Sequence, residues 1–213
     1  MKYYPKLKGE RCCLAPIDTA DAALYAGWLN DLEVAVHLTM AAQQITLEWE
    51  KEFLASAEKE GQYLFGIVDR KEEALIGNCG LFDLDWVNRT ADFGIFIGDK
   101  RHWGAGYGEE ATRLLLDYAF HILNLHNIRL CVYDYNSRAV RCYEKCGFKF
   151  IGKRREAKHI AGKVFDIIYM DVLASEFTGG YIPKLLLRSA PEGLTNPARA
   201  CTLGVNNQRP EGE

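Results

Sequence analysis

The chain has 213 residues, of which 48% are hydrophobic and 26% are charged, and its formal net charge is −3. This length is typical of about one domain, and the composition excludes a chain that is disordered over most of its length. The chain is mildly acidic and lacks the excess of basic residues that a broad nucleic-acid-binding surface needs, so no nucleic-acid partner is expected. No apolar run approaches the roughly 18–20 residues that span a bilayer, and residues 1–6 lack a signal-peptide pattern. We therefore expect no membrane partner and a cytoplasmic location.

The predicted elements of the first half are short strands and two helices. Thr19 and Thr46 each precede a run of apolar residues at helical spacing, so each is expected to cap a helix. The strands are predicted over residues 11–15, 62–69, 74–86 and 90–98. Because short polar turns separate the later ones, these strands are expected to be antiparallel neighbours.

The second half begins with the longest predicted helix, over about residues 106–124, which carries one broad apolar stripe. A strand over 128–134, a helix over 137–145 and a closing pair of strands over 148–159 and 163–172 follow. Together these elements predict one α+β domain with a mixed sheet.

The C-terminal 36 residues differ in composition from the rest of the chain. Four of the six prolines fall there, with one aromatic residue and no clear periodicity. We interpret residues 1–177 as the domain and 178–213 as a mostly disordered tail, in which the leucines at 185–187 could dock on the domain.

Seven cysteines are present, an odd number without a Cys-x-x-Cys pair. Cys142 and Cys146 are four residues apart on one predicted helix face, but no histidine near them completes a zinc ligand set. The cysteines are expected to be small buried residues in a reducing compartment, and no metal site is predicted.

The most informative segment joins a strand to the long helix at residues 99–110. Glycines at 104, 106 and 108 let the backbone adopt conformations that other residues avoid. The helix start offers unpaired N–H groups and a positive dipole end to a phosphate, and Lys100 and Arg101 add charge. The pattern is neither a Walker loop nor a complete dinucleotide fingerprint. Taken alone, it fits an anion site or merely a tight strand–helix turn.

A second motif lies about thirty residues further on. Residues 136–148 read as a strand end, a helix capped by Asn136 or Ser137, and a terminating Gly147. In order and spacing, Arg101-x-x-Gly104-x-Gly106 and this segment resemble the two motifs of the GNAT family of N-acetyltransferases. The resemblance extends over about residues 8–175. Within the family, the chain is most similar to the branch of ribosomal-protein N-terminal acetyltransferases and spermidine N-acetyltransferases.

The resemblance implies a mostly antiparallel sheet flanked by helices, and acetyl-CoA as the co-substrate. The thioester oxygen would meet backbone N–H groups at a bulged strand end formed by Phe96, Ile97 and Gly98. Asn136 would contact the pantetheine arm. The pyrophosphate would be held at the loop and helix start, by Arg101, Trp103, Gly104, Ala105, Gly106, Tyr107, Gly108 and Glu109.

Two residues occupy positions where family members carry out proton transfer. Tyr143 matches the general acid, which would protonate the leaving thiolate, although an aromatic on a buried helix face is the alternative. Asp92 matches a strand carboxylate that acts as a base through water, although an exposed or cross-strand paired carboxylate is the alternative. Asp83 and Asp85 could steer a cationic amine, or they could be solvated ends of a strand.

The acceptor remains open between a protein or peptide N-terminal amine and a small amine such as a polyamine. The acidic residues of spermidine enzymes are sparse here, and Gly80 stands where they carry an acid. The second class of hypothesis is a non-catalytic, acyl-CoA-binding regulatory protein on the same fold. The sequence is also compatible with a homo-oligomer.

Overall fold

The computed structural model describes residues 2–59, 63–178 and 180–189. Within these residues, eight strands form one sheet. In chain order they are β1 (Leu7–Lys8), β2 (Cys12–Pro16), β3 (Tyr63–Asp69), β4 (Leu75–Asp85), β5 (Thr90–Ile97), β6 (Asn127–Tyr133), β7 (Lys149–Ile160) and β8 (Lys163–Leu173).

The strands are arranged in the order β1-β2-β3-β4-β5-β6-β8-β7. Neighbours β1 to β5 are antiparallel, β5 and β6 are parallel, and β6, β8 and β7 are again antiparallel. The predicted α+β fold with a mixed, mostly antiparallel sheet is confirmed.

The α-helices of the described residues cover both faces of the sheet. They are α1 (Ala22–Asn30), α2 (Leu32–Ala35), α3 (Leu47–Lys59), α4 (Tyr107–His121), α5 (Ser137–Lys145) and α6 (Tyr181–Ser189). In the described ranges, no helix combines the length and the apolarity needed to cross a membrane.

Alternate residues of the central strands point to opposite faces of the sheet. In β2, Cys12 and Leu14 belong to the apolar cluster that includes α4, whereas Cys13 and Ala15 belong to the cluster that includes α1 and α3. Burial on both faces explains why this strand reads as a continuous apolar run.

Most predicted elements are observed with ends shifted by one to three residues, and α5 has the predicted bounds. The Thr46 hydroxyl accepts the Trp49 N–H at 3.1 Å, which confirms the predicted cap of α3. The Asp18 carboxylate, rather than the predicted Thr19, caps the short 3-10 turn that precedes α1, by accepting the Ala20 N–H. The two-residue β1 and the four-residue α2 are too short to produce a periodic signal, and neither was predicted.

The structure corrects part of the predicted tail. The Asp117 carboxylate of α4 accepts the N–H groups of Tyr181 and Ile182, at 2.7 and 3.0 Å, and so caps α6. Ile182 is buried, whereas the leucines at 185 and 186 are exposed. The fold therefore continues to Ser189, because the buried Asp117 carboxylate and the burial of Ile182 hold this helix. The rest of the predicted tail, 190–213, lies outside the described residues.

Candidate functional site

A cavity opens where β5 and β6 part. The two strands pair over only three residues each, from Thr90 with Asn127 to Asp92 with Arg129. Beyond this point β5 remains beside β4 and β6 remains beside β8, so their different neighbours hold them apart. The cavity has a volume of about 540 Å³, and residues 93–97 and 131–133 line its two walls.

The end of β5 presents backbone groups to this cavity. The N–H groups of Gly98 and Asp99 both donate to the Ile76 carbonyl oxygen, at 2.8 and 3.1 Å. Two residues of one strand therefore lie opposite one residue of its neighbour, which is the arrangement of a β-bulge. Because antiparallel pairing alternates, the Phe96 N–H is directed to β4 and the Ile97 N–H to the cavity side. Three residues were predicted to donate an N–H to the thioester oxygen. Of these, Ile97 is the one whose N–H is directed to the cavity, since the Gly98 N–H is already bonded to Ile76.

The glycine loop, defined here as residues 99–109, has the conformation that its sequence indicates. Gly104 and Gly106 have φ angles of 74° and 89°, in the left-handed region that favours glycine. Gly106 is also the N-cap of α4 and offers no side-chain cap, so the first N–H groups of the helix are available to an anion. The loop residues that line the cavity are His102, Trp103, Gly104, Gly106, Tyr107, Gly108 and Glu109.

Three side chains fix the loop against the sheet. The Trp103 indole Nε1 donates to the Ile97 carbonyl oxygen at 2.7 Å. His102 is 7% exposed, and its ring nitrogens lie 3.3 Å from an Asp99 carboxylate oxygen and 3.5 Å from one of Asp69. The Tyr107 hydroxyl also donates to Asp69. The loop is thus attached to β5 through Trp103 and to the end of β3 through Asp69.

The carboxylate of Asp69 remains ionised in this environment. Burial alone would raise its pKa, but hydrogen bonds from the Tyr107 hydroxyl and from the Glu72 and Lys71 N–H groups outweigh burial and lower the pKa. The same bond to Asp69 raises the pKa of Tyr107 to about 12. The ionised carboxylate and the neutral phenol therefore form a stable anchor for the first turn of α4.

The basic residues predicted to hold phosphate are directed elsewhere. The Arg101 guanidinium lies 2.7 Å from Asp99 and 3.7 Å from Glu72, and its side chain is 72% exposed. Lys100 pairs with Asp31, at 2.8 Å, and with Glu33. Neither Arg101 nor Ala105 is among the described residues that line the cavity. These ion pairs neutralise the charge that the sequence placed at the loop.

The cations that line the cavity come from α5, and sequence reasoning missed them. Arg138, Arg141 and Lys145 all belong to the cavity wall. The Arg138 guanidinium stacks over the Trp103 ring at 4.5 Å. Asn136 also lines the cavity, and its side chain caps α5 by accepting the Ala139 N–H at 3.2 Å. The spacing of 141 and 145 on one helix face was a signal that could have identified this basic surface.

Tyr143 lines the same cavity. Its ring packs edge-on against Phe93 and Phe148, with centroids 6.3 and 5.8 Å apart. Burial raises the pKa of the Tyr143 phenol, so the hydroxyl holds its proton at neutral pH. The side chain thus combines packing among aromatic rings with a place in the cavity wall and a hydroxyl that is protonated at neutral pH.

Asp92 has the alternative arrangement, a cross-strand pair. Both of its carboxylate oxygens accept from the Arg129 guanidinium, at 2.9 and 2.7 Å. Asp92 is not among the described cavity-lining residues. Its carboxylate is therefore positioned to hold β5 to β6 rather than to contact a bound amine.

Asp83 and Asp85 are likewise outside the described cavity wall. Pairing between β4 and β5 is irregular between Phe82 and Asp85, and Asp83 has a φ of 48°. This irregularity breaks the strand alternation that would have placed both carboxylates on one face. Asp85 accepts the N–H and the side-chain amide of Asn88, and these bonds lower its pKa.

The remaining wall of the cavity comes from α1, α3 and the segment between them. Its lining residues are Leu29, Val34, His37, Leu38, Thr39, Met40, Trp49, Glu50 and Phe53. Glu50 is the carboxylate of this group and is 1% exposed. Burial lowers the pKa of His37, with the nearby Arg138 charge adding to the effect, so this ring is neutral at neutral pH. Nothing in the local sequence distinguishes Glu50 from the other acidic residues of α3.

Comparison with known proteins identifies the family. The Acetyltransferase (GNAT) domain family matches residues 11–149. Probable N-acetyltransferase YjcK of Bacillus subtilis (strain 168) is 34% identical over 164 residues, which are 73% of this chain and 90% of that protein. The chain belongs to the GNAT acetyltransferase family.

Two further similarities agree with this assignment. The putative ribosomal N-acetyltransferase YdaF of Bacillus subtilis (strain 168) is 34% identical over 106 residues, which are 50% of this acetyltransferase and 57% of that protein. The crystal structure of spermidine N-acetyltransferase from Vibrio cholerae in complex with CoA and spermine has a TM-score of 0.71 and 27% identity. That comparison covers 79% of this chain and 98% of the other. The protein is an acetyl-CoA-dependent N-acetyltransferase of an amine.

The residues of the cavity fit this co-substrate. A long, thin arm can enter between two parted strands, and the uncapped start of α4 can accept a pyrophosphate. The basic side chains of α5 suit the remaining phosphate charge. Among the described residues, no cluster of three or more His, Cys, Asp or Glu side chains could hold a metal ion.

Two thiols lie close to this region. Cys142 lines the cavity, and a hydrogen bond with Cys146 lowers its pKa. The Cys146 thiol is buried and donates to the Glu109 carbonyl oxygen at 3.6 Å. Cys12, Cys13 and Cys79 are buried as predicted, whereas Cys131 is exposed, and Cys201 lies outside the described residues.

Proposed function

We propose that the acetyltransferase transfers the acetyl group directly to a primary amine while both substrates occupy the cavity between β5 and β6. The observation that carries this proposal is that one cavity is lined by an anion-binding loop, by a protonated tyrosine and by a largely apolar wall. These are the three parts that a direct transfer needs: a place for the co-substrate, a proton donor and a place for the acceptor.

The co-substrate supplies an activated acetyl thioester. The N–H groups of the glycine loop and of the first turn of α4 would hold its pyrophosphate, and Arg141 and Lys145 would pair with phosphate charge. The Ile97 N–H is directed to the cavity and would donate to the thioester oxygen. Arg101, by contrast, serves this site indirectly through its pair with Asp99.

Tyr143 would act as the general acid. Tyr143 lines the cavity, and its hydroxyl keeps its proton at neutral pH because burial raises its pKa. The acceptor would attack as the free amine, after its ammonium proton has passed to solvent. As the carbon–sulfur bond breaks, the phenol proton would pass to the leaving sulfur, and the proton that the attacking nitrogen loses would return to the phenolate. Asp92 is not proposed as the base, because Arg129 holds both of its oxygens.

The acceptor is a primary amine, either a small molecule or a peptide N-terminus. The relatives include an enzyme named for spermidine and one named for ribosomal acetylation. Asp83 and Asp85, which could have steered a polycation, lie outside the described cavity wall.

Release of free thiol from acetyl-CoA across a panel of amines and N-terminal peptides tests the proposal. We expect thiol release that depends on the amine. When both substrates are varied, we expect double-reciprocal lines that intersect, as for a ternary complex, rather than the parallel lines of a ping-pong mechanism, because no acyl-enzyme forms. Binding of acetyl-CoA without thiol release for any acceptor would instead identify a regulatory protein on this fold. A ping-pong pattern would contradict direct transfer.

A further inference from the structure

Of the described residues in the apolar wall of the cavity, Glu50 is the one that carries a carboxylate. It is the fourth residue of α3, and its own N–H is bonded to the Thr46 carbonyl oxygen at 3.1 Å. The side chain is 1% exposed, and its Oε2 has no hydrogen-bond partner among the described residues. A buried carboxylate with an unused oxygen is uncommon in folded proteins and calls for a specific reason.

Burial of this carboxylate is costly without a partner. An uncompensated charge in a water-poor site loses its hydration and either neutralises or pairs with a cation. Burial raises the pKa of Glu50 to about 7. The cationic side chains of the cavity come from α5, where Arg138 is already stacked on Trp103. Among the residues that the structure describes, Glu50 therefore has no compensating positive charge.

The surroundings of Glu50 are apolar and aromatic. Trp49 and Phe53 of the same helix stack with a centroid separation of 5.6 Å and both line the cavity. Leu29, Leu38 and Met40 contribute the facing wall. His37, the titratable group of this wall besides Glu50, is neutral at neutral pH because burial lowers its pKa. The compartment thus offers one negative group within an apolar enclosure.

We propose that Glu50 binds the ammonium group of the acceptor as it enters the cavity, before this nitrogen gives up its proton to solvent and attacks the thioester, and that the acceptor carries a single cationic amine on an apolar body. This inference rests on the proposed function and deepens it by naming the class of amine. One carboxylate can pair with one ammonium, and Trp49, Phe53 and Met40 can cover an alkyl or aromatic group next to it.

A polyamine fits this compartment poorly. Its second and third ammonium groups would enter an apolar wall without a counter-charge, or would approach Arg138, Arg141 and Lys145. Each desolvated ammonium without a partner loses its hydration with nothing in the apolar wall to replace it. The same chemistry is shared by a free monoamine and by a peptide N-terminus followed by an apolar side chain, so the experiment has an arm for each.

The test compares wild type with Glu50→Gln, which preserves the shape and removes the charge. The matched control is Glu48→Gln, an exposed residue two positions earlier on the same helix. Substrates are phenylethylamine, an N-terminal Phe-Ala peptide, and spermidine, each at saturating acetyl-CoA. We expect kcat/KM to be highest for one of the first two, and which of them is higher distinguishes the free amine from the peptide.

In the Glu50→Gln variant we expect KM for the preferred amine to rise about 10- to 100-fold, the value of a lost charge-assisted hydrogen bond. The KM for acetyl-CoA should remain unchanged, which a general disruption of the fold would not allow. Glu50→Asp, which keeps the charge but is one methylene shorter, should recover part of the affinity. If the wild-type enzyme acetylated none of the amines tested, the proposed function itself would be wrong.

Two outcomes overturn the inference while leaving the proposed function intact. One is an active enzyme in which Glu50→Gln has the same amine KM as wild type. The other is a kcat/KM for spermidine that exceeds the values for both monocationic acceptors.

Discussion

Asp92 and Arg129 form a bidentate ion pair, with distances of 2.9 and 2.7 Å, at the last position where β5 and β6 are paired. The side chains are 35% and 51% exposed, so the pair should contribute at most about 1 kcal/mol to stability. We expect Asp92→Asn to change kcat by less than about twofold, since the carboxylate does not line the cavity. Steady-state kinetics at saturating substrates measures this. A large loss of kcat in Asp92→Asn, of a size that depends on pH, would instead identify Asp92 as the general base.

Removal of the Tyr143 hydroxyl should slow the transfer itself. Tyr143→Phe keeps the ring contacts with Phe93 and Phe148 but removes the proton donor. We expect kcat to fall roughly 10²- to 10⁴-fold, the usual contribution of general-acid catalysis, with KM for acetyl-CoA nearly unchanged. Tyr118→Phe is the matched control, because Tyr118 is buried in the core away from the cavity. Near-normal turnover of Tyr143→Phe would remove this residue from the mechanism.

The left-handed conformation of Gly106 should be needed for binding of acetyl-CoA. Its φ of 89° disfavours a side chain by roughly 1–2 kcal/mol, and the residue precedes the anion-binding turn of α4. We expect Gly106→Ala to raise the KM for acetyl-CoA several-fold. Gly27→Ala is the control, because a methyl group there meets nothing within 4 Å. It should instead stabilise α1 by about 0.5–1 kcal/mol. Unchanged KM in Gly106→Ala would argue against this loop as the phosphate site.

Two arginines distinguish the site suggested by the sequence from the one in the structure. Arg141 lines the cavity, whereas Arg101 is paired with Asp99 and Glu72. Arg141→Gln should raise the Kd for acetyl-CoA several-fold, and less so at high salt, because ionic screening weakens exposed charge pairs. Arg101→Gln should have a smaller effect. Titration of acetyl-CoA by calorimetry at two salt concentrations measures both, and the reverse order would show that the loop arginine turns to the phosphate on binding.

The buried carboxylate of Glu50 should make stability depend on pH. Its pKa is raised to about 7 in the folded protein, from about 4.3 in an unfolded chain. Between these values the unfolded chain releases a proton that the folded protein keeps, so stability falls as pH rises through this range. Tyr25, which is packed nearby, stays neutral because burial raises its pKa.

Glu50→Gln removes this loss of stability. The variant should therefore gain up to about 3 kcal/mol in unfolding free energy over wild type at pH 8, and little at pH 4. Urea denaturation at pH 4, 6 and 8 measures the difference, with Glu48→Gln as the exposed control. A difference that does not vary with pH would show that Glu50 titrates normally.

The elements that local sequence determines were predicted well. The helix Ser137–Lys145 has its cap, its apolar residues and its terminating Gly147 within twelve residues, and its bounds were predicted without error. The glycine loop is similar, because the left-handed residues Gly104 and Gly106 and the start of α4 are adjacent in the chain.

Long-range contacts determined what the sequence did not reveal. Lys100 forms ion pairs with Asp31 and Glu33, which lie nearly seventy positions earlier in the chain. Its charge therefore belongs to the glycine loop in sequence but is not directed into the cavity. Asp92 matched a family position, but only the register of β5 against β6 placed Arg129 opposite it. Glu50 became distinctive only when folding buried it.

The bond between Asp117 and the start of α6 links the co-substrate site to the far end of the domain. α4 begins at the glycine loop and carries near its other end a carboxylate that is 3% exposed and receives two N–H groups from residues 181 and 182. A shortened chain that stops at 177 would remove both N–H donors from this buried carboxylate and leave it only the His121 ring, 2.8 Å away, on the same helix whose first turn faces the cavity. Expression boundaries for this enzyme are therefore set at or beyond Ser189, where the partner of Asp117 is retained.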